Sequence, residues 1–468
     1  MKKGIGLKWT LVLMGNVACL ISLMAQPDST VLTYQEYLQN IRLFHPVARQ
    51  ADLKYQFADA EILKAKGKLD PELISGWDQK QLDDQLYYSK FQAKLKLPTA
   101  LGIGVVGGYE RTDGLYVNPE NTTKDYGLWQ LGVEVDVLQG LVVNERRTAV
   151  QKAKVFQQLT LSERQIMINE LIYNASAAYL NWQQYIFFND IREENVRLAA
   201  TYYQNTRESY LNGEKTAMDT LEAFIAYQEA VTQQRKNQLD LTKARMYVEN
   251  HLWYNDEPVT LQDDTRPEPY QNQILPVAEL LPDTTLSSHP VILAAINKLS
   301  LLEIEQRLKR EAYKPKLTVR YSPLLVTDKD IETPDFSIQD YKLGMNLSMP
   351  LLWRSERGDV QSGELKIQDT QLELGYKRNE LQNKIRNSWA QQLLLQDQLG
   401  LLTENVSNYK RLMEGELEKF RLGESSVFLL NKRQEKYIEG QLKMVETYIK
   451  RQLEILNYLY FSNRLVVE

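Results

Sequence analysis

The chain has 468 residues, of which 25% are charged and 43% are hydrophobic, and its formal net charge is −5. This composition excludes a disordered chain and a bundle of membrane-spanning helices, and the negative charge offers nucleic acid no electrostatic attraction. The single cysteine, Cys19, lies in the N-terminal leader. We therefore expect neither disulfides nor a metal site in the processed chain, and no motif indicates a cofactor.

Residues 1–25 have the pattern of a secretory signal peptide. Two lysines near the start precede an apolar run from Trp9 to Met24, and Ala25 follows. Such a segment predicts export with cleavage after Ala25; lipoprotein processing at Cys19 is the alternative. Beyond it, no run of about 18 uncharged apolar residues predicts a membrane-spanning helix. An exported chain of this kind is secreted, periplasmic, or held in the outer membrane by strands.

The rest of the sequence is duplicated. Eight residues of the segment 45–73 recur at the same offset in 289–317, each time starting with His-Pro-Val. Later in each half, residues 169–171 and 379–381 both read Asn-Glu-Leu. The two spacings differ, so the first half carries an insertion of about 34 residues between these segments, and the chain contains two copies of one structural unit.

The strands predicted in each half have one apolar and one polar face. Residues 87–97, 127–137, 317–321 and 341–349 place apolar side chains mostly at odd positions and charged or polar ones at even positions. A period of two is that of a strand exposed differently on its two sides. The pattern suits a lipid-facing band around a watery lumen and equally a soluble sheet with one wet face.

The insertion gives the first half four predicted strands. We expect them at about 72–79, 86–97, 101–111 and 126–138. The turn at Pro98-Thr99-Ala100 is short, whereas residues 80–85 and 112–125 read as longer polar loops. Membrane barrels have short turns on the periplasmic side and longer loops outside.

Long helices follow the strands. Glu145 to about Leu211 and Glu356 to about Arg421 contain no proline, and each could reach on the order of 100 Å. Gly213 and Gly423 follow them and precede further proline-free stretches at 216–253 and 426–460. This order predicts antiparallel helical hairpins with the glycines at their tips. The expected organisation is a signal peptide at 1–25, a first repeat at 26–254, a proline-rich linker at 255–288 and a second repeat at 289–468.

This order of elements resembles the TolC-type outer-membrane efflux proteins, also called outer membrane factors. Helix, strands and long hairpin occur twice behind a signal peptide, and the strands close before arginine-containing helix starts at Arg146 and Arg357. The tips carry the most specific motif, an aromatic residue three positions before glycine: Tyr210-Leu-Asn-Gly213 and Phe420-Arg-Leu-Gly423. The resemblance extends from about Thr33 to Phe461.

The resemblance implies a mainly α fold with β: duplicated helical hairpins forming a periplasmic coiled-coil tunnel, plus transmembrane β-barrel strands, assembled as a homotrimer. It implies an outer-membrane channel that serves as exit duct of a tripartite efflux pump or a type I secretion system, and not an enzyme. Tyr210, Gly213, Phe420 and Gly423 would contact a periplasmic adaptor, which leads to an inner-membrane transporter. The other partner would be outer-membrane lipid, with no nucleic acid.

The sequence departs from the family in its strands. The family has two strands per repeat, whereas four are predicted in the first half here. We therefore predict six strands per subunit and an 18-stranded shared barrel instead of twelve. The alternative is that the extra hairpin folds over the mouth of the barrel.

The sequence departs from the family at the gate as well. Acidic residues six positions beyond the tip glycine help line the periplasmic constriction of the family, and Asp219 takes that place in the first half. Its counterpart in the second half is Leu429. Three copies of Asp219 in a trimer would form an acidic ring. The alternative is a solvated or helix-capping aspartate.

Other polar and aromatic residues receive structural roles. His45 and His289 are expected at helix boundaries, and His251 has no partner at metal-ligand spacing. The expected aromatic girdle is Tyr87, Tyr88, Tyr109, Trp129, Tyr321 and Tyr341. The expected barrel lumen is Lys90, Lys94, Glu134, Asp136 and Arg320.

Two other classes of protein stay open. A periplasmic coiled-coil scaffold or adaptor-like protein without a pore would explain the helices and the leader, but it leaves the alternating strands without a use. A secreted hydrolase would need a clustered nucleophile, an acid pair or a metal site. In this strand pattern Glu134 and Asp136 more simply line a polar wall.

Overall fold

A computed structural model describes residues 31–270, 272, 275, 283–326 and 337–465. The predicted signal peptide, with Cys19 and Ala25, lies outside these residues, as does part of the predicted linker. Among the described helices, none is both long enough and apolar enough to cross a membrane.

Helices make up most of the described chain. They are α1 (Tyr34–Phe44), α2 (Pro46–Gly67), α3 (Glu145–Leu211), α4 (Ala217–Glu249), α5 (Pro290–Glu311), α6 (Arg354–Arg421) and α7 (Val427–Phe461). The proline-free stretches thus form the predicted long helices, of 67 residues for α3 and 68 for α6.

Six of the ten described strands are long and form one sheet, and the other four pair as two short two-stranded sheets. They are β1 (Val31–Leu32), β2 (Glu72–Leu82), β3 (Gln85–Pro98), β4 (Ile103–Asp113), β5 (Leu128–Asp136), β6 (Trp253–Tyr254), β7 (Glu257–Pro258), β8 (Arg266–Pro267), β9 (Lys316–Val326) and β10 (Ser337–Ser348). Six of them form a sheet in the order β10-β9-β5-β4-β3-β2, in which every neighbouring pair is antiparallel. The first half therefore contributes the four predicted strands and the second half two.

Over most of the sheet, the register places odd-numbered residues opposite odd-numbered residues. Irregularities beyond Lys80 of β2 and before Tyr341 of β10 break this parity at the far ends of the two edge pairs. Val133, for example, lies opposite Val105 on one side and Tyr321 on the other. Because successive side chains of a strand point to opposite faces, the sheet has one face of odd-numbered residues and one of even-numbered residues. We call these the odd face and the even face.

The predicted loop at residues 80–85 is wrong. β2 continues to Leu82 and β3 begins at Gln85, so only Asp83 and Asp84 form the turn, with φ of 51° and 59°. Aspartate tolerates the left-handed region better than most residues, and two successive positive φ values match the twist of a tight hairpin. A polar run that reads as a loop is therefore a two-residue turn.

The turn between β3 and β4 lies beside the start of α3. The amide of Gly102 donates to the carbonyl of Leu141 at 2.9 Å, and the side-chain amide of Asn144 donates to the carbonyl of Ala100 at 3.1 Å. The side-chain carbonyl oxygen of Asn144 also accepts from the backbone amide of Arg147 at 2.9 Å and so caps the helix. This short turn is consequently at the end of the sheet where the chain enters the helix.

The chain forms two compact units, each containing residues from both repeats. The first comprises the described parts of residues 1–49, 168–281 and 384–468, and the second those of 50–167 and 282–383. The core of the first unit contains the buried side chains of Tyr37, Ile41, Ile172, Tyr179, Trp182, Ile449 and Tyr458. The second unit contains the six-stranded sheet.

Equivalent contacts in the two halves support the duplication. Lys54 pairs with Glu163 at 3.4 Å between α2 and α3, and the repeat-related pair Lys298–Glu373 lies at 3.6 Å between α5 and α6. The Nδ1 atoms of His45 and His289 each accept from the backbone amide two residues later, both at 3.2 Å. The predicted boundary role of these two histidines is confirmed.

Candidate functional sites

The even face of the sheet carries the predicted lumen acids, each paired with β9. Arg320 donates from Nε and Nη2 to one oxygen of Glu134, at 3.0 and 2.6 Å. The hydroxyl of Thr318 donates to Asp136 at 2.7 Å. The two acids are thus bound to separate partners on the neighbouring strand, which gives a polar wall with an ion pair built into it.

Glu110 is a second centre of charge on the even face. It accepts from Lys342 at 2.7 Å and from Gln130 at 3.1 Å, and Lys94 lies 3.8 Å away. Glu110 was not among the predicted lumen residues, although its even position in a predicted strand was the available signal. Lys94, predicted to face the lumen, therefore shares a carboxylate with a lysine from the other half of the chain.

The ion pair of Glu110 shows which way the sheet curves. Lys342 lies on β10 and Glu110 on β4, with β9 and β5 between them. In a flat sheet, three strand spacings of about 4.8 Å would separate them by about 14 Å, more than the two side chains can bridge. Contact at 2.7 Å means that the even face is the concave, inner side of the sheet.

Lys90 and one of the predicted girdle residues also lie on the even face. The ammonium of Lys90 is 5.2 Å from the centre of the Tyr88 ring, a cation–π distance. Tyr88 is therefore not part of an aromatic band on the odd face, because it contacts Lys90 two positions further along β3, and residues two apart in a strand point to the same side. The other five predicted girdle residues are odd-numbered.

The odd face is apolar and exposed. Trp129, Leu131, Leu343 and Met345 have 49%, 52%, 53% and 70% of their surface accessible. They lie on β5 and β10, and Leu73 and Trp77 on β2 are equally open. Together with Phe91 and Leu95 on β3, these exposed apolar side chains are spread over four of the six strands, including both edges. Such an apolar surface exceeds what a soluble monomer normally leaves uncovered, and it indicates contact with lipid or protein.

The two hairpin tips have the same backbone geometry. At the first tip, the amide of Glu214 donates to the carbonyl of Ser209 at 2.8 Å and that of Gly213 to Tyr210 at 3.0 Å. At the second, Glu424 donates to Lys419 at 2.8 Å and Gly423 to Phe420 at 3.1 Å. Both are Schellman motifs, with φ of +80° at Gly213 and +79° at Gly423.

The tips lie next to each other within the first unit and expose apolar side chains. The ammonium of Lys215 is 4.8 Å from the centre of the Phe420 ring, which joins one tip to the other. Exposed apolar residues surround this contact: Tyr210, Leu211, Met218, Leu422 and Phe428. Two glycine turns with an apolar rim form a candidate protein-binding surface.

Asp219 caps α4 in this structure. Its carboxylate accepts from the amide and the hydroxyl of Thr216, at 3.0 and 2.8 Å, while the Thr216 hydroxyl accepts from the Asp219 amide at 3.2 Å. These hydrogen bonds hold the pKa of Asp219 below its usual value. This is a reciprocal capping box. At the second tip the amide of Leu429 donates to Ser426 at 3.2 Å, so the cap there has only one half.

The remaining histidine contacts another histidine. The rings of His45 and His251 stack with centres 5.8 Å apart, and burial lowers the pKa of His45. Among the described residues, no group of three or more His, Cys, Asp or Glu side chains could hold a metal ion.

Solved structures share this fold. The outer-membrane channel OprN matches with a TM-score of 0.70 and 12% identity, over 92% of this chain and 89% of its own. The CmeC outer membrane channel of Campylobacter jejuni matches with a TM-score of 0.67 and 12% identity, over 92% of this chain and 85% of its own. The open state of the Neisseria gonorrhoeae MtrE outer membrane channel matches with a TM-score of 0.63 and 13% identity, over 92% of this chain and 88% of its own. No family model and no curated protein matches the sequence.

The chain therefore has the fold of these outer-membrane channels. The resemblance to TolC-type proteins is confirmed at this level, because the matches cover 92% of this chain. At these identities the likeness concerns the fold, and the function has to be argued from the surfaces.

Proposed function

We propose that this protein is an outer-membrane channel, the exit duct of a tripartite efflux pump or a type I secretion system. It passes substrate from an inner-membrane transporter through periplasm and outer membrane to the exterior. The channel conducts substrate and makes or breaks no bond. The energy for transport comes from the inner-membrane transporter. The observation that carries this proposal is the sheet, which has a charged concave face and an exposed apolar convex face.

A membrane barrel accounts for both faces of the sheet. Lipid-facing and lumen-facing residues alternate along the strands of such barrels. The odd face then contacts lipid, and the even face lines water with Lys90, Lys94, Glu134, Asp136 and Arg320. A soluble sheet would need another layer over its odd face, since its apolar side chains are otherwise exposed.

Exposure along the long helices supports assembly from several copies. Apolar residues of α6 are exposed at positions where the repeat-related residues of α3 are buried or half-buried. The exposed residues are Leu365, Leu372, Tyr376, Leu394 and Leu401, and their counterparts are Val155, Ser162, Ile166, Gln184 and Ile191. α6 thus lacks a neighbour that α3 has. In a homotrimer, the next copy supplies that neighbour and the hairpins surround a periplasmic tunnel.

The tips are the proposed contact with a periplasmic adaptor. Tyr210 and Phe420 stand one helical turn before Gly213 and Gly423, and the adjoining apolar side chains are exposed. Equal backbone geometry at the two tips allows an adaptor to bind both in the same way. Asp219, one turn into α4, would form an acidic ring in the trimer in addition to capping its helix.

Bilayer recording combined with native mass tests this function. Detergent-extracted protein is reconstituted in planar bilayers, with single-channel conductance and native mass measured on the same sample. We expect a trimer with discrete pores, and cell fractionation should place the protein with the outer membrane. A water-soluble monomer without pores would overturn the channel and favour a periplasmic scaffold or adaptor-like protein.

A further inference from the structure

The first half of the chain brings two more strands to the sheet than the second half, and they continue it without a break. β3 pairs with β4 over ten residue positions, from Ser89 opposite Asp113 to Pro98 opposite Gly104. β2 pairs with β3 from Glu72 opposite Lys96 onward. From Glu72 to Lys80, and along the part of β3 opposite them, both strands keep odd residues on the odd face. The extra hairpin is therefore wall of the sheet and does not fold across it.

The sheet ends on two long strands that have no partner on one side. Within the described residues, β2 pairs only with β3 and β10 only with β9. Most residues of β2 are exposed, and so are residues 339–348 of β10. Unpaired backbone groups along a strand edge cannot face lipid, since nothing there satisfies their hydrogen bonds. In an outer membrane both edges require a strand partner.

A second copy of this chain offers such a partner in the right direction. Neighbouring strands alternate in direction across the sheet, and the sheet has six of them. With an even number, β10 of one copy runs opposite to β2 of the next, as an antiparallel pair requires. Apolar residues occupy odd positions on both edges, among them Leu73 and Trp77 on β2 and Leu343 and Met345 on β10. Pairing odd with odd residues keeps one continuous apolar surface.

Resting on the proposed function, we propose that β2 of each copy pairs with β10 of the next copy and that three copies close an 18-stranded barrel. The contact is heterologous, because it joins two different edges. A rotation of one third of a turn from each copy to the next closes three copies into a ring. The extra hairpin widens the barrel, whose diameter grows roughly in proportion to strand number. It also adds Lys90, Lys94 and Lys96 to the lumen-facing side.

Disulfide cross-linking between copies tests the pairing. The one native cysteine lies in the leader, so introduced cysteines report alone once the leader is removed. Ile74→Cys on β2 is combined in turn with Gly344→Cys, Asn346→Cys and Ser348→Cys on β10, all at even positions. Three β10 positions are used because barrel closure sets the stagger between the edges. Isolated outer membranes are treated with an oxidant, and disulfide-linked dimers and trimers are detected on non-reducing denaturing gels.

The matched control moves the probe to an inner strand. Gly104→Cys on β4 lies on the even face, and an added Cβ there meets nothing closer than 3.9 Å. It is combined with the same three β10 cysteines. Ile74→Cys with Lys94→Cys, which are opposite each other on β2 and β3, shows that the oxidant reaches the site within one chain.

We expect linked dimers and trimers from at least one β2–β10 combination and none from β4–β10. Links from β4 and not from β2 would overturn the proposal, because the barrel would then close through β4 as a twelve-stranded wall. Absence of links from both probes, with the within-chain pair formed, would overturn it as well. The conductance of the same variants after reduction separates the 18-stranded barrel from the channel function. Pores together with β4 links would reject the wider barrel and keep the channel. The absence of both pores and outer-membrane location would reject the channel itself.

Discussion

The two halves of the chain agree in their helices and differ in their strands. α3 and α6 have 67 and 68 residues, and the tips that follow them have nearly identical φ values. The first half nevertheless supplies four strands of the sheet and the second half two. The duplicated unit thus tolerates growth of its sheet while its hairpins stay the same.

The kind of insertion explains why the hairpins are unaffected. Two antiparallel strands carry the chain across the sheet and back, so the chain re-enters α3 at the end of the sheet where it would have entered without them. Hydrogen bonds from Asn144 and Gly102 fix the added turn beside that entry. An added single strand would instead leave the chain at the opposite end. Growth in whole hairpins is the change that preserves the helices.

The largest expected effect concerns the helices, where α3 is buried more deeply than α6. Trp182 of α3 is almost completely buried, and Trp182→Ala should cost about 3–5 kcal/mol of unfolding free energy because of the cavity it leaves. Trp389 of α6 is only partly buried against the same core. Trp389→Ala should therefore cost distinctly less in urea unfolding of the detergent-solubilised protein. Equal losses would mean that a neighbouring copy covers Trp389 as completely as the core covers Trp182.

The strands and helices could be predicted from sequence for a physical reason. Alternation of period two and long proline-free stretches are local signals, so α3 begins and ends at the predicted residues. The turn at Asp83-Asp84 was missed because two aspartates in the left-handed region look like any polar loop in a sequence. The Lys342–Glu110 contact could not be predicted, since it depends on how strongly the sheet curves.

The candidate sites were predictable to different extents. The placement of the predicted lumen residues on one face of the sheet follows from strand parity, and the same parity places Glu110 on that face. The cap formed by Asp219 follows from a Thr-x-x-Asp spacing at a helix start, so the sequence offered that role together with the gate. The proposed contacts between copies involve residues that no single chain brings together.

The tip glycines should respond equally to substitution. Both have a left-handed φ, and an added Cβ would meet nothing within 4 Å at either. Gly213→Ala and Gly423→Ala should therefore each cost about 1–2 kcal/mol, through backbone strain alone. Gly375→Ala, inside α6 with equally open space, is the matched control and should stabilise by about 0.4–1 kcal/mol. Thermal unfolding followed by circular dichroism measures all three, and a difference between the two tips would contradict their equivalence.

The caps should distinguish the tips by a smaller amount. Asp219→Ala removes half of the capping box and should cost about 1 kcal/mol. The pKa of Asp219 is lower in the folded protein than its ordinary value of 3.8. Its contribution is therefore complete above pH 3.8 and is lost as the pH falls through the folded pKa. Amide exchange at the start of α4, corrected for intrinsic rates, should show this loss, while the start of α7 should not.

Thr216→Ala provides the control that separates the cap from the gate. It removes the same capping box but leaves the carboxylate in place. If Asp219 forms an acidic ring, only Asp219→Ala should alter cation block of the single-channel current. Equal changes in both variants would assign the whole effect to the cap.

The smallest expected effect concerns the repeat-related ion pairs. Lys54–Glu163 and Lys298–Glu373 have nearly equal distances, and their side chains are partly exposed. Double-mutant cycles with alanine should give coupling energies of about 0–1 kcal/mol for each pair, and about 1 M salt should weaken both. Because the two pairs occupy equivalent positions between a short and a long helix, their couplings should match. If one coupling energy were well above the other, one repeat would hold its helices together more rigidly. The likeness of the two halves would then be limited to their backbone.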